Sequence, residues 1–331
     1  MLQALPRVSR RRAVQATVGF LVALGLLVWW LLSLGPSQPS GTITFSTGVR
    51  TGVYQRYGEL LQGALADDLP DVGIRLQTSE GSQQNLKRVA TGEADFTIAT
   101  ADAVDKYLGD GSTGADRLRG CARLYDDYVQ LVVPRDSPVH TAADLRSKRV
   151  GIGQPGSGVR LLAQRLLTAA GLDPGHDIAP VSAGIDTMPE LLRTGKIDAF
   201  FWSGGLPTTA VLRLSEQDQI RLVPLADLVT ALHREDGTTG FYRPATMPAD
   251  AYPQAQRGVA VPTIAVANLL VTTARTDAHL TEEFTRTVIR SRDAIGREVH
   301  AAQLVDLRTA IYTDPLPLHD GARRYYLSVK P

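Results

Sequence analysis

A six-residue phrase occurs twice in this chain, about a hundred residues apart: Thr91-Gly92-Glu93-Ala94-Asp95-Phe96 and Thr194-Gly195-Lys196-Ile197-Asp198-Ala199. Each copy ends a helical pattern and runs into an apolar stretch, 96–99 in the first case and 199–202 in the second. Each is preceded, about forty residues upstream, by a strand that breaks into glycines and reopens as a helix. The first opening is Ile43-Thr44-Phe45-Ser46-Thr47-Gly48, leading into Gly52-Val53-Tyr54. The second is Val150-Gly151-Ile152-Gly153, leading into Gly156-Ser157-Gly158-Val159-Arg160. A unit repeated once in this way predicts two α/β lobes of like design with a cleft between them.

Periodicity fills in the elements. Residues 42–45 alternate as a strand, and Tyr57, Leu60, Leu61, Ala64 and Leu65 mark one face of a helix over 54–69. A strand over 73–78 follows, then a helix capped by Ser82, running through Asn85, Leu86 and Val89 and stopped by Gly92. Residues 96–100 and 128–133 read as buried strands. The cycle restarts with a strand over 149–152, a helix over 159–170 stopped by Gly171, a helix over 188–194 and a strand over 220–225. The β-rich segment 263–272 is expected to return into the first lobe, and 281–299 to form a helix with Leu280, Phe284 and Val288 on one face. Residues 231–258 mix Gly, Pro and charge without a pattern. The expected lobes are 42–132 plus 263–331 and 133–262, each a mostly parallel sheet covered by helices. A length of 331 residues allows a core in each, and 44% apolar with 21% charged residues is a globular composition.

The amino terminus differs. Arg7, Arg10, Arg11 and Arg12 make 1–12 a basic segment, and 13–34 then carries no charge over 22 residues, close to the roughly 20 that a bilayer-spanning helix needs. Arginine on the near side predicts a cytoplasmic amino end, and Trp29 and Trp30 suit the far interface. Residues 35–41, with Pro36 and Pro39, read as a linker. A cleaved signal peptide is the competing reading and would leave a secreted or periplasmic protein. Its apolar core is usually about 7–15 residues ending at small side chains, which Leu32-Ser33-Leu34-Gly35 fits poorly. On either reading the folded part lies outside the cytoplasm.

Several chemistries are excluded or weakened. Setting the four amino-terminal arginines aside leaves 31 basic against 34 acidic side chains, which gives no basic field for nucleic acid. Cys121 is alone, so there is no intramolecular disulfide or cysteine zinc cluster. Gly151 to Gly156 satisfies G-x-G-x-x-G between a strand and a helix. The acid at the required distance, Asp173, falls in a loop, however, and Pro155 removes a backbone donor from any phosphate cradle. Neither Ser157 nor Ser203 sits in a G-x-S-x-G elbow, and the six histidines (140, 176, 233, 279, 300, 319) form no metal-binding pair. Asp95 and Asp198 read as residues that bond nearby backbone N–H groups and fix their own turns. No catalytic set, metal or cofactor is expected.

What remains is uncharged, polar and concentrated at helix starts. Ser46, Thr47 and Thr51, then Ser79 and Ser82, then Ser157 all lie at or just before predicted helix N-termini. Such termini offer unpaired N–H donors and partial positive charge, which suit a small carboxylate. Simple N-capping explains any one of them equally well; corresponding openings in two lobes favour a shared anion site. Arg50, Arg56 and Arg160 are candidates for charge-assisted pairing.

These segments resemble the TAXI class of solute receptors, which serve tripartite ATP-independent periplasmic (TRAP) transporters. Thr51-Gly52-Val53-Tyr54 resembles its first-lobe turn, and Gly81-Ser82-Gln83-Gln84-Asn85-Leu86 its Gly-Ser-x-x-Asn phrase. Thr91 to Asp95 resembles its Gly-Glu-Ala-Asp phrase, and Gly151 to Gly158 its Gly-x-x-Gly-Ser-Gly loop. Gly195 to Phe201 is similar to its Gly-x-Ile-Asp-Ala-Phe-Phe run, and Leu318 to Ala322 to its closing His-Pro-Gly-Ala. The resemblance covers about 42–328. It implies an α/β, two-lobed periplasmic-binding-protein (type II) fold, here preceded by one transmembrane helix. It also implies closure over a small organic anion or amino acid and delivery to a TRAP-type permease driven by an ion gradient. The implied contacts are Ser46, Thr47, Gly48, Thr51, Gly52 and Tyr54; Ser79, Gly81, Ser82, Asn85 and Thr100; and Gly156, Ser157, Gly158, Val159, Arg160, Ser203 and Gly204, with Trp202 as a wall. Val159 departs from the threonine common after Gly-Ser-Gly, and Val53-Tyr54-Gln55-Arg56 from the common Thr-Tyr-Tyr-Pro. The rival readings are a ligand-sensing partner of a signalling protein, an enzyme on the same scaffold, and a scaffold with an empty cleft.

Overall fold

The computed structural model describes residues 10–33, 39–217, 219–234 and 240–329, and within 10–33 the side chains of 15 and 17–28. The expected segments 1–12, 13–34 and 35–41 therefore lie partly outside the described residues. Met1–Pro39 and Ser40–Pro331 form separate compact units. In the first, α1 (Arg10–Ser33) is a helix of 24 residues. Its apolar side chains are exposed around the helix, from Val18 at 54% and Phe20 at 66% to Val28 at 46%. Among the described residues no helix is long and apolar enough to cross a membrane.

The second unit is built on ten strands among the described residues: β1 (Gly41–Ser46), β2 (Val72–Gln77), β3 (Phe96–Thr100), β4 (Leu118–Pro134), β5 (Arg149–Gly151), β6 (Ala179–Val181), β7 (Ala199–Gly204), β8 (Ile220–Val223), β9 (Tyr242–Met247) and β10 (Val261–Thr273). Their order is β2-β1-β3-β10-β4-β7-β5-β6, with β8 beside β4 and β9 beside β10. β1 lies parallel between β2 and β3, and β5 lies parallel between β6 and β7. The order of each triplet is therefore the mirror of the other. The expectation of two separate, mostly parallel sheets is corrected: one mixed sheet runs through both halves. The cause is the length of β4 and β10, 17 and 13 residues. They pair with each other antiparallel and reach β7 and β3 respectively, also antiparallel.

The repeated phrase does the same job in each half. Thr44 N–H donates to Asp95 Oδ2 at 2.7 Å, and Asp95 N–H returns a bond to Thr44 O at 2.9 Å. Arg149 N–H donates to Asp198 Oδ2 at 2.8 Å, and Asp198 N–H bonds Arg149 O at 2.8 Å. Each aspartate thus locks the entry of its own strand to the middle strand of its triplet, and Gly92 (φ 84°) and Gly195 (φ 65°) supply the left-handed turn before it.

Helices cover the sheet: α2 (Val53–Asp68), α3 (Ser82–Thr91), α4 (Ala101–Gly109), α5 (Gly158–Ala169), α6 (Met188–Arg193) and α7 (Thr209–Gln217), followed by Ala278–Gly296 and Asp320–Val329. Tyr57, Leu61 and Leu65 form the buried stripe of α2, spaced four residues apart. They join a core in which Phe96 stacks on Phe284 with centroids 4.1 Å apart. A second core gathers Leu162, Leu166, Val150 and Phe201 around β5 and β7. A smaller cluster places Leu161 of α5 with Leu86, Val89 and Val104 of α3 and α4, so apolar packing also crosses from one half to the other. The stretch 231–258 contains β9, which pairs with β10 and puts buried Tyr242 and Met247 into the cores; residues 235–239 lie outside the described set.

Candidate functional site

The N-terminal ends of α2, α3, α4 and α5 meet around one cavity. About 70 Å³ of it is open to the centre of a water-sized sphere. On that measure one water needs roughly 10–15 Å³, so the space suits a solute the size of an amino acid. The first opening contributes Gly48, Gly52 and Tyr54, and α3 contributes Gly81 and Ser82. Thr100 lies at the entry to α4. Ser157, Gly158 and Val159 come from α5, and Ser203 and Gly204 from the end of β7.

The two serine-bearing turns face each other and touch. Gln84 N–H donates to Gly156 O at 3.0 Å, and Gln83 Nε2 donates to Ser157 O at 2.7 Å. The approach is close enough that a Cβ on Gly158 would stand 3.0 Å from Ser82 Oγ, so any side chain there would have to push Ser82 aside. At Gly153 (φ 85°) glycine is required. A Cβ would meet Arg160 N at 2.8 Å and Ser157 Oγ at 2.9 Å, inside the turn that opens α5. The G-x-G-x-x-G string is thus accounted for by the packing of its own turn.

The serines have unlike roles. Ser157 is the N-cap of α5: its Oγ accepts Arg160 N–H at 3.1 Å and donates to Gln154 O at 2.7 Å. The N–H groups of Gly158 and Val159 are left without an intrahelical partner. Ser82 does not cap α3, contrary to expectation. It is the first helical residue, the N-cap is Gly81, and no side chain caps the helix. Its Oγ instead meets Thr100 N–H at 3.2 Å and Tyr54 Oη at 3.2 Å. Tyr54 Oη in turn donates to Asn268 Oδ1 at 2.5 Å. Burial, with the Asp127 charge adding to it, holds the Tyr54 hydroxyl well above its usual range, so Tyr54 stays a neutral donor.

Seven of the residues singled out in the sequence lie outside the lining. Ser46, Thr47, Ser79 and Asn85 form the scaffold behind the first opening. Ser46 Oγ donates to Asn85 Oδ1 at 2.7 Å, Asn85 Nδ2 donates to Thr47 O at 2.7 Å, and Ser79 Oγ donates to Thr47 O at 3.0 Å. Thr51 bonds the Asp186 carboxylate in a second, shallower cleft, which Arg50 and Arg56 also line. Arg56 pairs there with Glu59 and Glu298. Gly156 gives its carbonyl to Gln84, and Arg160 Nη1 bonds Ser182 Oγ at 2.8 Å. The cations expected to assist an anion are thus placed outside the cavity at the helix ends, and Arg50 and Arg56 line the second, larger and more open cleft.

The cavity's charge comes from acids that sequence reasoning did not select. Asp102, Asp127 and Glu80 line it, and among the described residues no Lys, Arg or His does. Asp102 sits in the first turn of α4, where an acid complements the helix dipole. Its Oδ2 accepts Tyr242 Oη at 2.7 Å and lies 3.6 Å from Arg165 Nη1. Asp127 is 3% exposed on β4, and its Oδ1 has no hydrogen-bond partner. Burial raises its pKa to about 7. The neighbouring Asn268 amide opposes the rise, and the Asp126 and Asp102 charges add to it. The Asn268 amide makes no bond of good geometry, since Nδ2 is itself unpartnered. Ser203 Oγ is a third buried polar atom without a partner. Val49, Ile185, Met188 and Leu162 supply an apolar wall with Trp202, whose Nε1 donates to Thr208 Oγ1 at 3.0 Å. Among the described residues no group of three or more His, Cys, Asp or Glu is placed to hold a metal ion.

A family model described as the NMT1-like family matches residues 45–327. Among solved structures, the chain is similar to an ancestral arginine-binding protein bound to arginine, with 13% identity over 78% of this chain and 98% of that one and a TM-score of 0.51. It is similar to a putative L-cystine ABC transporter from Listeria monocytogenes, with 13% identity over 80% and 98% and a TM-score of 0.50. The periplasmic aliphatic sulphonate binding protein SsuA from Escherichia coli gives 17% identity over 88% and 84% and a TM-score of 0.47. The likeness is one of fold: α/β, periplasmic-binding-protein-like, with a mixed sheet.

Proposed function

The chain belongs to the NMT1-like family, and from that premise we propose that it is a solute-binding receptor acting outside the cytoplasm. One observation carries the reading. Four helix N-termini from both halves of the sheet open on a single cavity, and two turns bearing serine and glycine touch across it. Unpaired N–H groups at such ends bind a carboxylate without any basic side chain, so the cavity suits the carboxylate end of a small solute. Residues 42–132 with 263–331 act as one lobe and 133–262 as the other, and hinge bending between them admits and releases the solute. The resemblance to TAXI receptors supports a TRAP-type permease as the recipient. The uncharged run 13–34 of the sequence is what supports an anchor that keeps the receptor at the membrane. The paired turns and the cavity acids account for their residues without a nucleophile–base set, which favours carriage over catalysis.

Thermal unfolding in the presence of amino acids and dicarboxylates tests this. A solute at a hundred times its Kd stabilises the folded state by about 2.7 kcal/mol, which in a chain of this size raises Tm by about 4 °C. Recovery of the solute unchanged separates a receptor from an enzyme. Failure of every acid and amino acid to raise Tm overturns the receptor reading.

A further inference from the structure

We infer that the solute carries a protonated amine and that the Asp127 carboxylate is its counter-ion. The inference rests on the receptor reading above and narrows it from small carboxylates in general to amino acids. It starts from an imbalance between two buried acids. Asp102 is 1% exposed, but its charge is met from behind the cavity by Tyr242 and Arg165. Asp127 is buried nearly as deeply and has the neutral Asn268 amide beside it but no countercharge: Oδ1 is unpartnered, and no cationic side chain lines the cavity among the described residues. The ionisable groups that bear on Asp127 are Asp126 and Tyr125 on its own strand, Asp102 on α4 and Tyr54 on α2. None brings positive charge. Asp126 is itself engaged by Arg123 at 2.7 Å and by Arg243, so those guanidinium groups are committed elsewhere.

A buried carboxylate without a countercharge is costly, and an ion that enters with the ligand removes the cost. Ammonium fits the atoms available. It has three donors, and three of the residues that line the cavity, Asp127, Asp102 and Ser203, each carry a buried side-chain oxygen with no partner of its own. Position strengthens the case. Asp127 pairs with Val266 of β10, and the next residue, Tyr128, pairs with both Ala265 of β10 and Gly204 of β7. The charge therefore stands where the two halves of the sheet join. A zwitterion can then be held at its carboxylate by helix ends and at its amine by Asp127, whereas a dicarboxylate would bring a second negative charge to the acids.

Titration gives the pH dependence its sign. Ammonium binding needs Asp127 ionised, and the free protein holds its proton up to about pH 7. Affinity for an amino acid should therefore rise about tenfold per unit as pH climbs from 5 toward 7, then level off. A dicarboxylate accepted by protonated Asp127 would show the reverse. The experiment uses the full chain in mild detergent, with calorimetry and thermal unfolding at pH 5 to 8. The probes are the twenty amino acids, their deaminated 2-oxo acids, and glutarate as the partner of glutamate. The expected result is binding by one or more amino acids, at least 100-fold weaker binding of the matched deaminated acid, and a similar loss in Asp127→Asn. The folded state of Asp127→Asn should be at least as stable as wild type at pH 8, because the uncompensated charge is gone. Equal binding of a deaminated acid, unimpaired binding by Asp127→Asn, or affinity that falls with rising pH overturns the inference and leaves the receptor reading standing. If no probe binds the wild-type chain, both fall.

Discussion

The openings of α3 and α5 look alike in the sequence and divide the work between them. At α5, Ser157 turns back on its own helix, bonding Arg160 N–H and Gln154 O, so the turn is complete in itself. At α3, Ser82 sits one place further in and reaches outward to Thr100 and Tyr54, leaving the helix without a side-chain cap. The α5 turn supplies what α3 lacks: Gly156 O takes the N–H of Gln84, and Ser157 O takes the side chain of Gln83. One turn is finished before the halves meet, and the other is finished by their meeting. A duplicated motif can therefore acquire a rigid copy and a responsive copy through a one-residue offset between serine and glycine.

The asymmetry can be broken most forcefully at Gly158. In Gly158→Val the new Cβ alone would stand 3.0 Å from Ser82 Oγ. Overpacking of this kind costs about 1–3 kcal/mol, so solute affinity should fall by about 5- to 150-fold in calorimetry while the cores on either side of the cavity are untouched. Asp95→Ala attacks the features the halves share. It orphans Thr44 N–H within β1 and should lower stability by about 1–3 kcal/mol in urea unfolding; an unchanged midpoint would show that the turn holds without its aspartate. The serines should then part company. Ser157→Ala loses an N-cap, about 1 kcal/mol of stability, with the larger part of its effect on folding. Ser82→Ala leaves Thr100 N–H unbonded and should lower solute affinity as well as stability; equal binding losses in the two variants would erase the distinction. The smallest effect belongs to Asp198→Asn. Pairing with Arg149 holds Asp198 below its ordinary carboxylate range. Its contribution is therefore present above that ordinary value and lost as pH falls through the depressed one. The pair is largely exposed, at 48% and 33%, and such pairs are worth about 0–1 kcal/mol. The stability gap between wild type and variant should close as the medium is acidified below about pH 4.

Where physical chemistry acts locally, the sequence was a good guide. The α2 stripe, the Gly92 stop, the α5 helix and the paired aspartates all follow from short-range spacing. β4 did not, beyond 128–133, because Arg119, Arg123, Asp126 and Asp127 interrupt its apolar run; the first three lie half-buried between buried neighbours. An Asp-Asp pair reads as a solvated turn, and only the antiparallel partner β10, more than a hundred residues away, makes it a strand interior. The cavity acids were hidden for the same reason. Asp102 follows directly on β3, with no loop residue to announce that a helix begins at Ala101. Serines and glycines at helix starts were legible; which of them would turn toward the partner half depended on contacts no local pattern records.

β4 and β10 run unbroken from one half of the sheet to the other, bonded to each other along the way. The hinge proposed above therefore runs through these two strands, and bending there acts on both at once. Parting the halves must wring the shared ladder, spreading the motion as extra twist along both strands. β4 carries an extra residue at two places in this ladder, between Arg123 and Asp126 opposite Asn268 and at Cys121, and such irregularities bend a strand and raise its local twist. On the proposed receptor reading, a solute seated against Asp127 would sit on the very ladder that has to twist when the halves part.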